Sequence, residues 1–376
     1  MLKCFPLTAL LLNMAASAFC ETADAYSDSG YAKFNTNDFD GAIADFTKAI
    51  ELKPDDYGDY IFRGAAKQKK SDLDGAITDY TKSIELKPDS ADAYKIRGTA
   101  RMFNNDSDGA IADLTKAIEL KPDYVDAYVT RGSAKYLKKS DLDGAIADLS
   151  KAIELNATNA DAYRYRGIVK DEKKDLDGAI TDLSKAIEFN PNDTSAYRHR
   201  GEAKEEKKDL DGAIEDFTKF IELKPNDAEG YDDRGLARIK KLDWDGVIAD
   251  YSKVIELKPD DAYAYYSRGD ARKFKGDLDG AIEDFTKYIE FQPNDPGTYH
   301  DRGVARQDKG DLDGAIADFS KYIELKTNDA DAYYIRAVAR QAKGDFDGAK
   351  TDYKKVLEIK PDNERAQNRL DELNKK

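Results

Sequence analysis

Between Ser107 and Leu120, apolar side chains fall at Ala110, Ile111, Leu114, Ala117 and Ile118. That spacing places them on one face of an α-helix. Asp106 stands where an N-cap belongs, Asp108 suits the positive end of the helix dipole, and Pro122 stops the run. Ala91–Asn104, just before it, reads as a partner helix. No stretch of useful length alternates apolar and polar residues with period two, so no sheet is expected.

The pair returns along the chain. Asp-Gly-Ala-Ile, or a near variant, recurs with its glycines at Gly41, Gly75, Gly109, Gly144, Gly178, Gly212, Gly246, Gly280, Gly314 and Gly348. Every step is 34 residues except one of 35, between Gly109 and Gly144. A tyrosine ladder runs in register from Tyr26 and Tyr60 to Tyr299 and Tyr333, with the same extra residue. The insertion falls in the turn region Lys138–Ser140. One such hairpin has too little apolar surface to fold alone, so neighbours must stack to bury a shared core.

The unit resembles the tetratricopeptide repeat, a 34-residue helix–turn–helix. The match runs through Tyr94, Gly98, Ala110, Leu114, Ala117 and Pro122. The resemblance implies an all-α fold, an α-solenoid whose helix–turn–helix units wind into a right-handed superhelix. Ten units are expected at 23–56, 57–90, 91–124, 125–159, 160–193, 194–227, 228–261, 262–295, 296–329 and 330–363, with a capping helix over 364–376. Some positions depart from the family pattern. Arg63, Arg97 and their equivalents stand where Leu is usual before the Gly, and Phe220, Val254, Tyr288 and Tyr322 replace the usual Ala late in the second helix. Larger side chains there are expected to alter curvature.

The Arg ladder faces an Asp ladder at Asp79, Asp113, Asp148, Asp182, Asp216, Asp250, Asp284, Asp318 and Asp352. Two readings stand open: a row of bidentate ion pairs tying the repeats, or solvated charges worth roughly 0–1 kcal/mol each. The ten helix-start glycines each cost about 0.5–1 kcal/mol against Ala, which suggests that a Cβ would clash there.

Composition narrows function. Lys and Arg number 60 against 75 Asp and Glu, a net charge of −15. Such a chain repels phosphate backbones, so nucleic acid is not expected as a partner. Its 2 cysteines cannot build a disulfide framework or a cysteine zinc site, and 2 histidines leave little imidazole chemistry. Asp-Leu-Asp-Gly resembles part of a calcium loop, but with Gly144 at loop position six, Lys139 falls at position one and Ser150 at twelve. No phosphate-binding, nucleophile-elbow or dinucleotide glycine motif occurs. Neither metal, cofactor nor catalysis is expected.

Met1–Ala18 reads as a secretory signal: Lys3, an apolar stretch, then Ala16-Ser17-Ala18 as a cleavage site. The stretch is too short to span a bilayer. Phe19 before Cys20 does not suit lipidation. An extracytoplasmic location, periplasmic or secreted, with no integral membrane segment after cleavage, is the expectation.

The resemblance implies that the first helices line a concave face that binds segments of other proteins. On that mapping the candidate groove residues are Phe62, Ile96, Met102, Phe103, Tyr136 and Leu137, then Asp171, Glu172, Glu202, Glu205, Glu206, Asp232 and Asp233, then Tyr263, Tyr266, Phe274 and Tyr334. The apolar members suit hot-spot anchors, and the acidic middle suits a basic segment of the partner. The Lys and Asn clamp with which some members hold a terminal carboxylate is missing, since Ser27, Tyr31, Phe62, Asp92 and Ile96 fill its places. The chain therefore reads as an exported, non-catalytic protein–protein scaffold or adaptor. The alternative is a targeting or regulatory subunit of a separate envelope enzyme, such as a glycosyltransferase or hydrolase.

Overall fold

A computed structural model describes residues 22–139 and 141–375. The segment read as a signal, Met1–Ala18, lies outside the described residues. Among the described residues there are 21 helices and no strand, so the fold is an all-α repeat stack. The helices come in antiparallel pairs, such as Ala91–Phe103 with Ser107–Leu120, and a single helix, Glu364–Asn374, ends the series. Two compact units are present, unit 1 up to Pro191 and unit 2 from Asn192. Repeats 1–5 lie in unit 1 and repeats 6–10 in unit 2.

Each second helix starts on the same device. An Asp carboxylate accepts the backbone N–H three residues on, as Asp175 does from Gly178 at 3.0 Å. The other carboxylate oxygen lies over the glycine Cα, and a Cβ would run into it. To admit a Cβ the capping Asp side chain would have to shift. The turn before each cap needs one left-handed residue. Asn37, Ser71, Asn105, Lys139, Lys174, Lys208 and Leu242 take it at φ between 54° and 66°, and Gly276, Gly310 and Gly344 at 82–91°. In repeat 4 the first helix, Val125–Lys138, and the left-handed Lys139 keep the register seen in repeats 7–10, so the extra residue falls between Lys139 and the N-cap Asp141.

Within each of repeats 1–9 the two helices meet at a second glycine, and repeat 10 has Ala337 there. A Cβ on Gly167 would sit 2.7 Å from Leu183 Cγ and 3.2 Å from the Ala179 carbonyl. Close approach leaves Leu114, Leu149 and Leu183 in unit 1, and Phe217, Tyr251, Phe285 and Phe319 in unit 2, almost wholly buried. The large Phe220 is also buried, and it is accommodated by Gly230 in the next repeat, where most repeats carry Ala; a Cβ there would strike the Phe220 ring. The last helix buries Ala366, Leu370 and Leu373 against Tyr353 and Val356 and so covers the end of unit 2.

The facing Arg and Asp ladders form buried ion pairs. Arg131 grips Asp148 through Nε at 2.8 Å and Nη2 at 2.6 Å, and Lys135 adds a second cation at 2.9 Å. Arg268 grips Asp284 at 2.9 and 2.7 Å, with Arg272 at 2.9 Å. The remaining N–H group reaches the previous repeat: Arg131 donates to Thr115 at 3.1 Å and Arg268 to Ser252 at 3.1 Å. Each guanidinium also lies over its own ladder tyrosine, 5.6 Å from Tyr128 and 5.8 Å from Tyr265. One side chain thus ties both helices of its repeat to the repeat before. The solvated-charge reading fails because every ladder Asp is buried. Repeat 1 has Ser29 in place of Arg, donating to Asp45 at 2.6 Å, with Lys33 at 2.6 Å. The described residues hold no earlier repeat for a third bond to reach.

Candidate inner-face interaction site

First helices of successive repeats touch one another, in repeats 1 and 2, in 3, 4 and 5, and in 8 and 9. They form the inner row, and the second helices stand behind it. In unit 1 this row opens into a cavity of about 370 Å³ over the first helices of repeats 3–5. Met102, Phe103, Val129 and Tyr165 supply its apolar wall, and Lys95, Asp126, Asp161 and Arg164 are among the polar residues that line the rest. Phe103 is 61% exposed, so its ring is already presented to a visitor. Met102 is half-buried against Ala110 and Leu114 and holds the floor in place.

Of the apolar residues expected in unit 1, Met102 and Phe103 line the cavity. Leu137 is exposed nearby in the chain but does not line it. Phe62, Ile96 and Tyr136 are half-buried and pack into the core. Phe62 meets Tyr31 edge-on at 4.5 Å, Ile96 lies against Tyr80, and Tyr136 lies against the Val129–Leu149 cluster. Their place in the row is right, but their side chains turn inward.

The acidic residues are mostly engaged within the protein. Glu172 meets Lys139 at 3.2 Å and Glu205 meets Lys240 at 3.0 Å. Arg198 gathers Glu202 at 3.3 Å, Asp233 at 2.7 Å and Glu229. His199 adds a contact to Glu202 at 2.9 Å. Burial pushes the Asp233 carboxyl up to about 6, against the pull of Arg198. Burial also raises Asp232. Asp171 is half-buried and Glu206 is exposed. The row is therefore far less open to a basic partner than its composition suggests.

The C-terminal aromatics divide. Tyr266 donates to Asp301 at 2.8 Å, beside His300 at 3.2 Å and Lys273 at 3.5 Å. Burial works against ionisation of Asp301, but His300, Lys273 and Tyr266 overcome it and hold the carboxyl below its ordinary value. Tyr334 packs on Tyr353. Tyr263 is half exposed, and Phe274 stacks on Trp244 at 4.5 Å. Among the described residues no group of three or more His, Cys, Asp or Glu is placed to hold a metal, and no helix is long and apolar enough to cross a membrane.

Lys95, Val129, Arg164 and Tyr165 escaped the sequence reading. Their signal is positional. Lys95, Val129 and Arg164 occupy one register of the first helix, which in unit 2 holds Arg198, Asp232, Tyr266, His300 and Tyr334.

A stack of helix pairs with an open inner row defines a repeat protein built for contact with other proteins. Tetratricopeptide repeat family models match residues 23–56, 63–125, 135–170, 172–228, 262–295, 296–329 and 330–363. These take in well over half of the chain, and the chain belongs to the tetratricopeptide repeat family, whose repeats form protein-interaction scaffolds. Among solved structures it is similar to the MamA protein, at 30% identity over 46% of this chain and 93% of that one, TM-score 0.42. It is also similar to YrrB, described as a TPR protein with an unusual peptide-binding site, at 26% identity, 50% and 97% coverage, TM-score 0.43. The C-terminal part of a TPR protein from Cytophaga hutchinsonii shares the fold at 20% identity, 63% and 97% coverage, TM-score 0.50. No curated protein matches the chain.

Proposed function

We propose that the chain is an exported, non-catalytic adaptor that seats a segment of a partner protein on the inner row of repeats 3–5. The cavity over Met102, Phe103 and Val129 carries this reading. Four apolar or aromatic side chains, Met102, Phe103, Val129 and Tyr165, gather in a cavity otherwise lined by polar groups, and they offer a seat to a desolvated side chain of a partner. The acidic run of repeats 5–7 serves mainly to join first helices, so the main anchor is apolar rather than acidic. Placement outside the cytoplasm rests on the residues of Met1–Ala18.

A photo-crosslinking residue at position 103 tests the docking. In the native envelope or secreted fraction it is expected to give a discrete adduct that weakens with Met102→Ala. The same probe at exposed Phe274 is expected to give none. Equal adducts at both positions would sink the reading. Amino-terminal sequencing of the native protein tests export, which predicts a mature start beyond Ala18.

A further inference from the structure

Of the four charged side chains lining the cavity, Asp161 and Arg164 pair with each other, while half-buried Lys95 and exposed Asp126 have no ion pair among the described residues. Arg164 holds Asp161 at 2.5 Å and lies 4.2 Å over the Tyr165 ring. Arg198 holds Asp233 and Glu202. Lys95 occupies the same register and is half-buried in the cavity wall. Among the described residues no carboxylate lies within ion-pair distance of its ammonium group. Asp126, which also lines the cavity, is exposed and lies beyond that distance, where water solvates it.

The neighbouring hydroxyls cannot substitute as outward donors. Thr99 donates back to the Lys95 carbonyl at 2.8 Å, Thr130 to Asp126 at 2.8 Å and Ser133 to Val129 at 3.0 Å. Lys95 is left as an outward-facing cation beside an apolar floor. An apolar side chain seated on Met102, Phe103 and Val129 would strip water from that ammonium. Desolvating a charge without a counter-charge is unfavourable, and a carboxylate arriving with the apolar group removes the penalty.

We infer that the cavity of repeats 3–5 selects a protein segment that carries an Asp or Glu within one or two residues of a large apolar side chain, the carboxylate ending on Lys95. This rests on the docking reading above and specifies its partner. It reverses the charge expected from composition, because the acids that suggested a basic partner hold cations of their own.

The test is selection from a phage-displayed library of random twelve-residue peptides on the full-length protein, with Phe103→Ala as the counter-selection. Sequences pairing an acid with a large apolar residue are expected to enrich. A selected peptide, labelled for fluorescence polarisation, is expected to lose about tenfold in affinity when its acid becomes the amide, a loss typical of one charge-assisted hydrogen bond. On Lys95→Met the acid and amide peptides should bind alike, and Lys95→Glu should enrich basic sequences instead. Circular dichroism of both variants should match the parent, since Lys95 has no partner to lose. Enriched peptides without an acidic position, or an acid preference that survives in Lys95→Met, would overturn the inference and leave the docking intact. No enrichment dependent on Phe103 would overturn both.

Discussion

Units 1 and 2 are built from the same hairpin but treat their inner rows differently. In unit 1 the first helices of repeats 3–5 touch and line a cavity with an unpaired ammonium in its wall. In unit 2 more of the links between first helices are ion pairs and polar hydrogen bonds. Arg198 reaches Asp233, Lys240 reaches Glu205, and Tyr266 and Lys273 reach Asp301. The left-handed turns differ as well, since unit 1 uses Asn, Ser and Lys while three of the five in unit 2 are Gly. Stability of a repeat stack is nearly a sum of repeat and interface terms, so local choices can make one stretch stiff and leave another adaptable. Unit 2 reads as the stiffer stretch and unit 1 as the receptive one.

The buried lattice is common to both units, and breaking it should hurt both alike. Asp148→Ala in unit 1 and Asp284→Ala in unit 2 each strand two cations with little access to water. Removing one partner of a buried pair costs about 3–5 kcal/mol. Urea denaturation of the two variants is expected to show losses of that size and similar to each other. A loss under 1 kcal/mol in either would mean that the pair behaves as a surface bridge, and a large inequality would place the contrast between the units in the lattice itself.

The polar links between first helices of unit 2 should show in its pH dependence. Asp233 has a carboxyl raised by burial to about 6, above its ordinary 3.8. The unfolded chain therefore gives up this proton first as pH rises. Stability associated with Asp233 is full below about pH 4 and is lost on the way to about pH 6. The difference amounts to about 2 kcal/mol. Asp233→Asn removes that slope, so the stability gap between parent and variant should change across pH 4–6 by this amount. Other shifted carboxyls, such as Asp59 in unit 1, cancel in the comparison. A constant gap would show that Asp233 is charged throughout and that Arg198 dominates it.

Much of this was legible in the chain. Two ladders with one shared insertion gave the hairpins, and the structure pairs Ala91–Phe103 with Ser107–Leu120 within a residue of the expectation. The ladder ion pairs were visible as two facing rows, but their strength depended on burial, which spacing does not report. The third bond, from Arg131 to Thr115, lies 16 residues upstream and has its own unremarked ladder. The acidic middle misled for a related reason. Arg198 meets Glu229 and Asp233 across a repeat boundary, 31 and 35 residues away, so composition showed the acids without their cations. Phe62, Ile96 and Tyr136 were placed on the correct helices, yet only packing decides whether such a ring turns in or out. Lys95 was missed because a lone charge stands out only against the partnered members of its register.

Turn strain separates the units by a smaller amount. Leu242 is 66% exposed and left-handed, with φ of 60°. An L-residue there costs roughly 1–2 kcal/mol, partly offset in a glycine replacement by the freedom glycine loses on folding. Leu242→Gly should therefore raise the stability of unit 2 by about 0.5–1 kcal/mol. The reverse change, Gly310→Leu at φ 91°, should lower it by about 1 kcal/mol or more. Hydrogen exchange on the flanking helices would read both. If Leu242→Gly destabilises, the side chain holds a contact that outweighs the backbone cost.

The smallest effect concerns a position late in the second helix where the units part most plainly. Unit 1 carries Ala49, Ser83, Ala117, Ala152 and Ala186; unit 2 carries Phe220, Val254, Tyr288, Tyr322 and Val356. Small side chains give unit 1 less to pack at this joint between repeats. Ser83 is the odd member. It is fully buried, and among the described residues its hydroxyl has no hydrogen-bond partner. An unmet buried polar group is a net cost, and Ala fills nearly the same space at the equivalent positions on either side. Ser83→Ala should stabilise unit 1 by about 0.5–1 kcal/mol, seen as a higher urea midpoint with an unchanged slope. A lower midpoint would mean that the hydroxyl is satisfied in solution, by a trapped water at the joint. The small side chains of unit 1 would then mark a hydrated seam, and its adaptability would come from water between repeats rather than from missing contacts.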